Sequence, residues 1–240
     1  MSTSNSLSGR LSGSRLPRKA LSLLLLPLLW ADGAWAVTCA QTDYSFDTQA
    51  EVDALGATGC DRVLGFVVVG GSQFYNLDGL ANLTRVDGDL VIDNYGGANI
   101  DSLKSLTSVG GDLRIWFNYT IANFDGLANL TSVGGNLRIS ANASLTNLNG
   151  LANLTSVGGF VYISSNEKLT NLDGLAKITN VVGSKNRFVS RGLSILNNRL
   201  LTNLDGLANI TSVERDLDIE NNDSLTNCRG LAMVLGWPNG

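Results

Sequence analysis

Residues 124–145 read FDGLANLTSVGGNLRISANASL, and residues 148–169 read LNGLANLTSVGGFVYISSNEKL. The phrase returns with a shift of 24 residues. The leucine that opens each LANLTSV-like phrase stands at Leu80, Leu103, Leu127, Leu151, Leu175, Leu207 and Leu231, at intervals of 23, 24, 24, 24, 32 and 24. A fixed period in the twenties marks a solenoid, in which each repeat is one coil stacked on the next. Within one unit, Leu137 and Ile139 alternate as on a short strand. Leu145, Leu148, Leu151, Leu154 and Val157 then recur every third residue. That is not the uneven 3,4 spacing of an amphipathic α-helix, and it suits a chain coiling through 3₁₀-like turns. Gly158 and Gly159 let it turn into the next strand. No such coil can bury its own leucines, so neighbours bury them for each other.

An asparagine follows each strand's first apolar residue by five positions, at Asn118, Asn142, Asn166, Asn198 and Asn222. A buried column of amides can satisfy the backbone groups left unpaired where each coil bends, so this column reads as architecture. The expected fold is a β-dominated solenoid of about seven coils of about 24 residues, with a parallel sheet on one face. Its first strand is expected to begin at Val67. The eight extra residues in the 32-residue interval predict an inserted loop at about 182–192. The segment 37–62 departs from the repeat and reads as an N-terminal cap with a short helix. The region 63–240 reads as the solenoid, ending in an incomplete coil at GWPNG, which either leaves an apolar edge open or marks the chain as a fragment.

The N-terminus has its own grammar. Arg10, Arg15, Arg18 and Lys19 precede LSLLLLPLLW at 21–30, and Ala34-Trp35-Ala36 closes it. A basic start, a short apolar middle and a small-x-small exit predict a secretory signal peptide over 1–36. Its removal takes away four of the 17 basic residues and one of the 21 acidic ones, leaving a net charge of −7. An acidic chain is a poor partner for nucleic acid or an anionic membrane surface. No later apolar run is long enough to span a bilayer. In an exported chain Cys39 and Cys60 can pair, leaving Cys228 free in a slot that other coils give to leucine; two separate buried thiols are the alternative. The absence of histidine excludes His-based triads and His metal sites.

The pattern LxIxxNxxLxxLxGLxxLxxVGG is a leucine-rich repeat. Its Gly-Gly or Gly-Asp strand opening, with the CDRV phrase at Cys60, resembles the receptor L domain, the ligand-binding module of insulin and epidermal-growth-factor receptors. The resemblance spans about residues 45–235. It implies a right-handed solenoid with one strand per coil that binds proteins or glycans and has no enzymatic activity.

Outward strand positions are free to specialise, because the inward ones are fixed by the core. Arg114, Trp116, Arg138, Phe160 and Tyr162 fall on outward positions of three adjacent coils and form the candidate ligand face. Aromatics interleaved with arginine are the composition of contact surfaces. Asp89 and Asp112 occupy a turn position that favours Asp and Asn, which outweighs a catalytic reading. Asp216, Asp218 and Glu220 alternate as a solvated acidic edge rather than a calcium site. The seven Asn-x-Ser/Thr sequons are by-products of the repeat phrase. No cofactor, metal or catalytic residue is called for. The function read from the sequence is an extracellular or cell-surface recognition module, binding protein or glycan through its sheet face. A structural envelope spacer and a carbohydrate-active enzyme are the alternatives. N-terminal sequencing of exported protein is expected to begin at Val37; material that keeps Met1 would refute the leader.

Overall fold

A computed structural model describes residues 36–184 and 191–236. The leader-like segment and the loop residues Lys185 and Arg187 lie outside the described residues. Eight strands form one parallel sheet in which sequence order is spatial order. They are Tyr44–Phe46, Val67–Gly70, Leu90–Asp93, Leu113–Trp116, Leu137–Ser140, Val161–Ser164, Leu193–Leu196 and Leu217–Glu220. Each repeat contributes one strand, and the repeats pair in exact phase: Leu113 lies opposite Leu137, which lies opposite Val161, then Leu193 and Leu217. A second inward column runs Val69, Ile92, Ile115, Ile139, Ile163, Ile195 and Ile219. Both columns are buried as far as the Leu193–Leu196 strand, while Leu217 and Ile219 are half-buried.

The three-residue spacing resolves into one 3₁₀ turn per coil, such as Asp125–Leu127, Asn149–Leu151 and Asp173–Leu175. Each turn is capped by an asparagine two residues ahead: Asn123 Oδ1 accepts from the Asp125 N–H at 3.1 Å, and Asn147 Oδ1 from the Asn149 N–H at 3.0 Å. These Asx caps satisfy a donor that the short turn leaves open. Glycine inside the turn is a packing demand, since a methyl group at Gly150 would collide with the backbone carbonyl of Phe124 one coil back. On the next side, two-residue strands stack into a second ladder of five, from Arg62–Val63 to Ser156–Val157. Beside it, Thr155 donates both its N–H (2.9 Å) and its hydroxyl (3.1 Å) to the Thr131 carbonyl.

The residue after each strand from Leu90–Asp93 onward turns left-handed, with φ of 50–58° at Asn94, Phe117, Ala141, Ser165, Asn197 and Asn221. The asparagine column sits directly behind that bend. Asn142 Nδ2 donates to the Ile115 carbonyl at 3.0 Å and to Asn166 Oδ1 at 3.1 Å. Its Oδ1 accepts from both the backbone and the side-chain N–H groups of Asn118, at 3.2 and 3.0 Å. Asn166 and Asn198 repeat the pattern, and Asn222, half-buried, donates to Ile195. The column begins at Tyr95, whose N–H donates to Asn118 Oδ1 at 2.8 Å.

Two expectations need correction. The sheet does not start at Val67: Tyr44–Phe46 adds an earlier strand in register with Val67–Val69, and the Tyr44 N–H bonds to the Phe66 carbonyl at 2.9 Å. Three residues outside the repeat carry too little alternation to show as a strand, and backbone pairing decides instead. The helix Gln49–Ala57 follows, opened by a Thr48/Glu51 capping box and burying Val52 and Leu55. Cys39 and Cys60 are disulfide-bonded, and Cys228 is free and half-buried. At the other end a short helix, Ala232–Leu235, follows the last 3₁₀ turn where no helix was expected.

The insertion interrupts one ladder only. The front sheet continues from Val161–Ser164 to Leu193–Leu196 in unbroken register, whereas Asn180–Val181 and Ser212–Val213 form a separate pair. Gly183, at φ 79°, turns the chain out, and the Ser184 N–H bonds to the Arg191 carbonyl at 2.7 Å to close the neck.

Asn142→Ala leaves buried backbone and amide groups without partners and is expected to cost about 1–3 kcal/mol in urea melts. Asn129→Ala removes only an exposed bond to the Lys104 carbonyl and is expected to cost less than about 1 kcal/mol. Equal losses would show that the asparagine column is not the structural one.

Candidate functional site on the sheet face

The sheet's outer face carries two columns of side chains in register. One runs Val91, Arg114, Arg138, Tyr162, Ser194 and Asp218, and the other Asp93, Trp116, Ser140, Ser164, Leu196 and Glu220. Just ahead of the strands lies a further ladder. The Asp112 N–H donates to Asp89 Oδ1 at 2.7 Å, the Asn136 N–H to Asp112 Oδ1 at 2.7 Å, and the Phe160 N–H to Asn136 Oδ1 at 2.9 Å. Asp89 and Asp112 are therefore committed to backbone amides. Arg114 neutralises them further, pairing with Asp89 at 3.0 Å and with Asp112 at 2.6 Å.

The arginine one strand further is held differently. The Arg138 guanidinium lies 4.9 Å from the Trp116 ring centroid and 5.2 Å from that of Tyr162. Arg191, at the neck of the insertion, lies 5.0 Å from the Tyr162 ring and 5.9 Å from that of Phe160. The result is an alternating stack of Trp116, Arg138, Tyr162, Arg191 and Phe160, with each cation against an electron-rich ring face. Among the described residues, Arg138 Nε is buried without a hydrogen-bond partner, and so is the Trp116 indole nitrogen. Burial pushes the Asp93 carboxyl up; the indole on the neighbouring strand opposes that electrostatically without making a bond of hydrogen-bond geometry. Burial also draws Arg138 down from its ordinary value, reinforced by the positive charge of Arg191.

Four of the five residues picked from the sequence, Arg114, Trp116, Arg138 and Tyr162, are half-buried on this face. Phe160 is the correction. It is 9% exposed, because it stands ahead of the strand in the Asp89/Asp112/Asn136 position, and Arg191 lies over its ring. Two residues escaped the sequence reading of this face. Arg191 comes from the insertion, where the repeat gives no register to place it. Phe117 lies in the left-handed bend, at φ 56°, and is 48% exposed 6.2 Å from the Trp116 ring. Its column elsewhere holds Asn, Ala, Ser or Gly. A bulky ring at positive φ is strained, and that misfit was readable within the repeat. Tyr119, two residues on, is also exposed.

Elsewhere the structure offers less. A groove of about 310 Å³ beside the two-residue strands is lined by Ser108, Ser132, Ser156 and the glycines after them, with Arg85 at one end. It has no ring to grip a ligand. Among the described residues, no group of three acidic or cysteine side chains is placed to hold a metal.

Residues 129–232 match the family model described as Receptor L domain. This part of the chain is a receptor L domain. Arg138, Phe160, Tyr162 and Arg191 lie inside the match, while Arg114, Trp116 and Phe117 lie on the coil just before it. No curated protein matches the chain. Among the described residues, no helix is long and apolar enough to cross a membrane.

Phe117→Asn gives the left-handed bend a residue that accepts it, so the variant is expected to gain about 0.5–1 kcal/mol in urea unfolding. A loss of stability would show that the ring's packing on Trp116 outweighs its backbone strain.

Proposed function

We propose that this receptor L domain is an extracellular recognition module that binds a protein ligand on the outer face of its sheet. Receptor L domains are non-enzymatic binding modules of extracellular type. The leader-like 1–36 segment and the Cys39–Cys60 bond fit an exported, oxidised chain. The observation that carries the site is the stack from Trp116 to Phe160, continued at its edge by exposed Phe117 and Tyr119. Large rigid rings and arginine carry most of the energy at protein contacts. A protein fits better than a glycan, because Arg138 and Arg191 already lie against the ring faces on which sugars would stack.

The test is an array of purified extracellular proteins probed beside a glycan array. Trp116→Ala and Arg138→Ala are each expected to leave the unfolding transition cooperative and to weaken binding to a protein hit at least about tenfold, as loss of a contact anchor does. Glycan hits alone would overturn the choice of ligand. Protein hits indifferent to both variants would move the site off this face, and an absence of hits would favour a structural spacer.

A further inference from the structure

Among the described residues, the stack on the sheet face leaves two positive charges without a directly paired counter-ion, Asp112 acting on Arg138 only at longer range. Arg114 is matched by Asp89 and Asp112. Arg138 and Arg191 make no ion pair among the described residues, although they share the Tyr162 ring. Two like charges on one ring repel unless an anion joins them. Arg138 is held between two rings, so its planar donors are already oriented and little is lost in ordering them on a ligand.

The surroundings limit what can bind. Asp93 lies on one side of the pair, two strands from Arg138, and Asp218 and Glu220 lie on the other, three strands away. At about 4.8 Å per strand the positive zone is no more than roughly 10–15 Å across. Beyond it the face is acidic. A long polyanion laid along the sheet would cross carboxylates on both sides.

We propose that Arg138 and Arg191 form a receiving site for one carboxylate of the protein ligand, and that the acidic borders select a ligand segment in which that carboxylate is flanked by basic side chains. The inference rests on the sheet-face reading above and deepens it. A guanidinium pair binds a carboxylate through charge-assisted hydrogen bonds. Binding relieves the repulsion between the two arginines. The flanking Lys or Arg of the ligand then meets Asp93 on one side and Asp218 or Glu220 on the other. The inserted segment thereby enters recognition, since its neck supplies Arg191.

The test uses immobilised peptides: Lys-Gly-Glu-Gly-Lys, its Gln analogue, an oligo-Glu peptide, and a heparin oligosaccharide. The wild-type chain is expected to prefer the Glu peptide to its Gln analogue by roughly tenfold at low salt, a preference that shrinks as salt is raised. Arg138→Gln and Arg191→Gln should each abolish that preference, and Arg85→Gln, on the rear ladder, should keep it. Oligo-Glu and heparin should bind no better than the Gln peptide, until Asp218→Lys with Glu220→Lys removes one border. Equal retention of the Glu and Gln peptides, or retention of neither, overturns the proposal. Preference for the polyanions overturns the bordered single-group site. A protein ligand from the array separates the two readings. Sensitivity to Trp116→Ala with indifference to Arg138→Gln and Arg191→Gln keeps the face and rejects the carboxylate; indifference to all three rejects the face itself. Urea unfolding of every variant identifies any that fails to fold, and Arg138→Lys or Arg191→Lys then replaces it as a variant that keeps charge but loses the fork.

Discussion

Every coil must reverse direction just after its strand, and the chain directly behind that bend is buried. The bend takes the backbone left-handed and leaves the carbonyl and amide groups of two neighbouring coils facing a gap. The asparagine column fills that gap. Each amide has two donors and an oxygen that accepts twice, and the ladder from Asn142 to Asn198 uses all of them. An unpaired buried polar group costs far more than the net gain of a typical hydrogen bond, so the amides fix the phase of the stack. Leucine columns alone would tolerate slippage, because one leucine resembles the next. With the phase fixed, outward positions on successive coils line up within a strand spacing, and a binding face can be composed from residues 24 apart in sequence.

The repeat exposed most of this before any coordinates. The period, the strand at Leu137–Ile139, the 3₁₀ character of the threefold spacing and the positions of the asparagines all follow from which side chains must face inward. What escaped was whatever the period does not govern. Tyr44–Phe46 joins the sheet by backbone bonds that leave no signature in three residues. The two-residue ladder consists of Ser-Val pairs too short to alternate. The Asx caps on each 3₁₀ turn went unread because Asn123 and Asn147 look like ordinary surface residues.

The same division runs through the candidate site. Arg114, Trp116, Arg138 and Tyr162 were legible because alternation along a strand points them outward. Phe160 was read as outward although it precedes the strand, where the chain is still turning and side chains lie along the entrance of the sheet. Phe117 was overlooked because attention to strands hides the bend, although a ring in a column of Asn, Ala, Ser and Gly departs from its own repeat. Arg191 arrives from a segment without register, and only the fold brings it onto Tyr162.

The insertion breaks the rear ladder and leaves the front sheet intact. Mechanically it is a detachable fitting: a backbone bond between Ser184 and Arg191 closes its neck, and both ends return to the same coil. Loop closure grows costlier only slowly with length. A lineage can therefore lengthen, shorten or replace this segment while the scaffold keeps its phase. Because the segment ends beside Tyr162, each replacement would redraw the rim of the face without altering the wall behind it. Such a solenoid can diversify its surface one graft at a time.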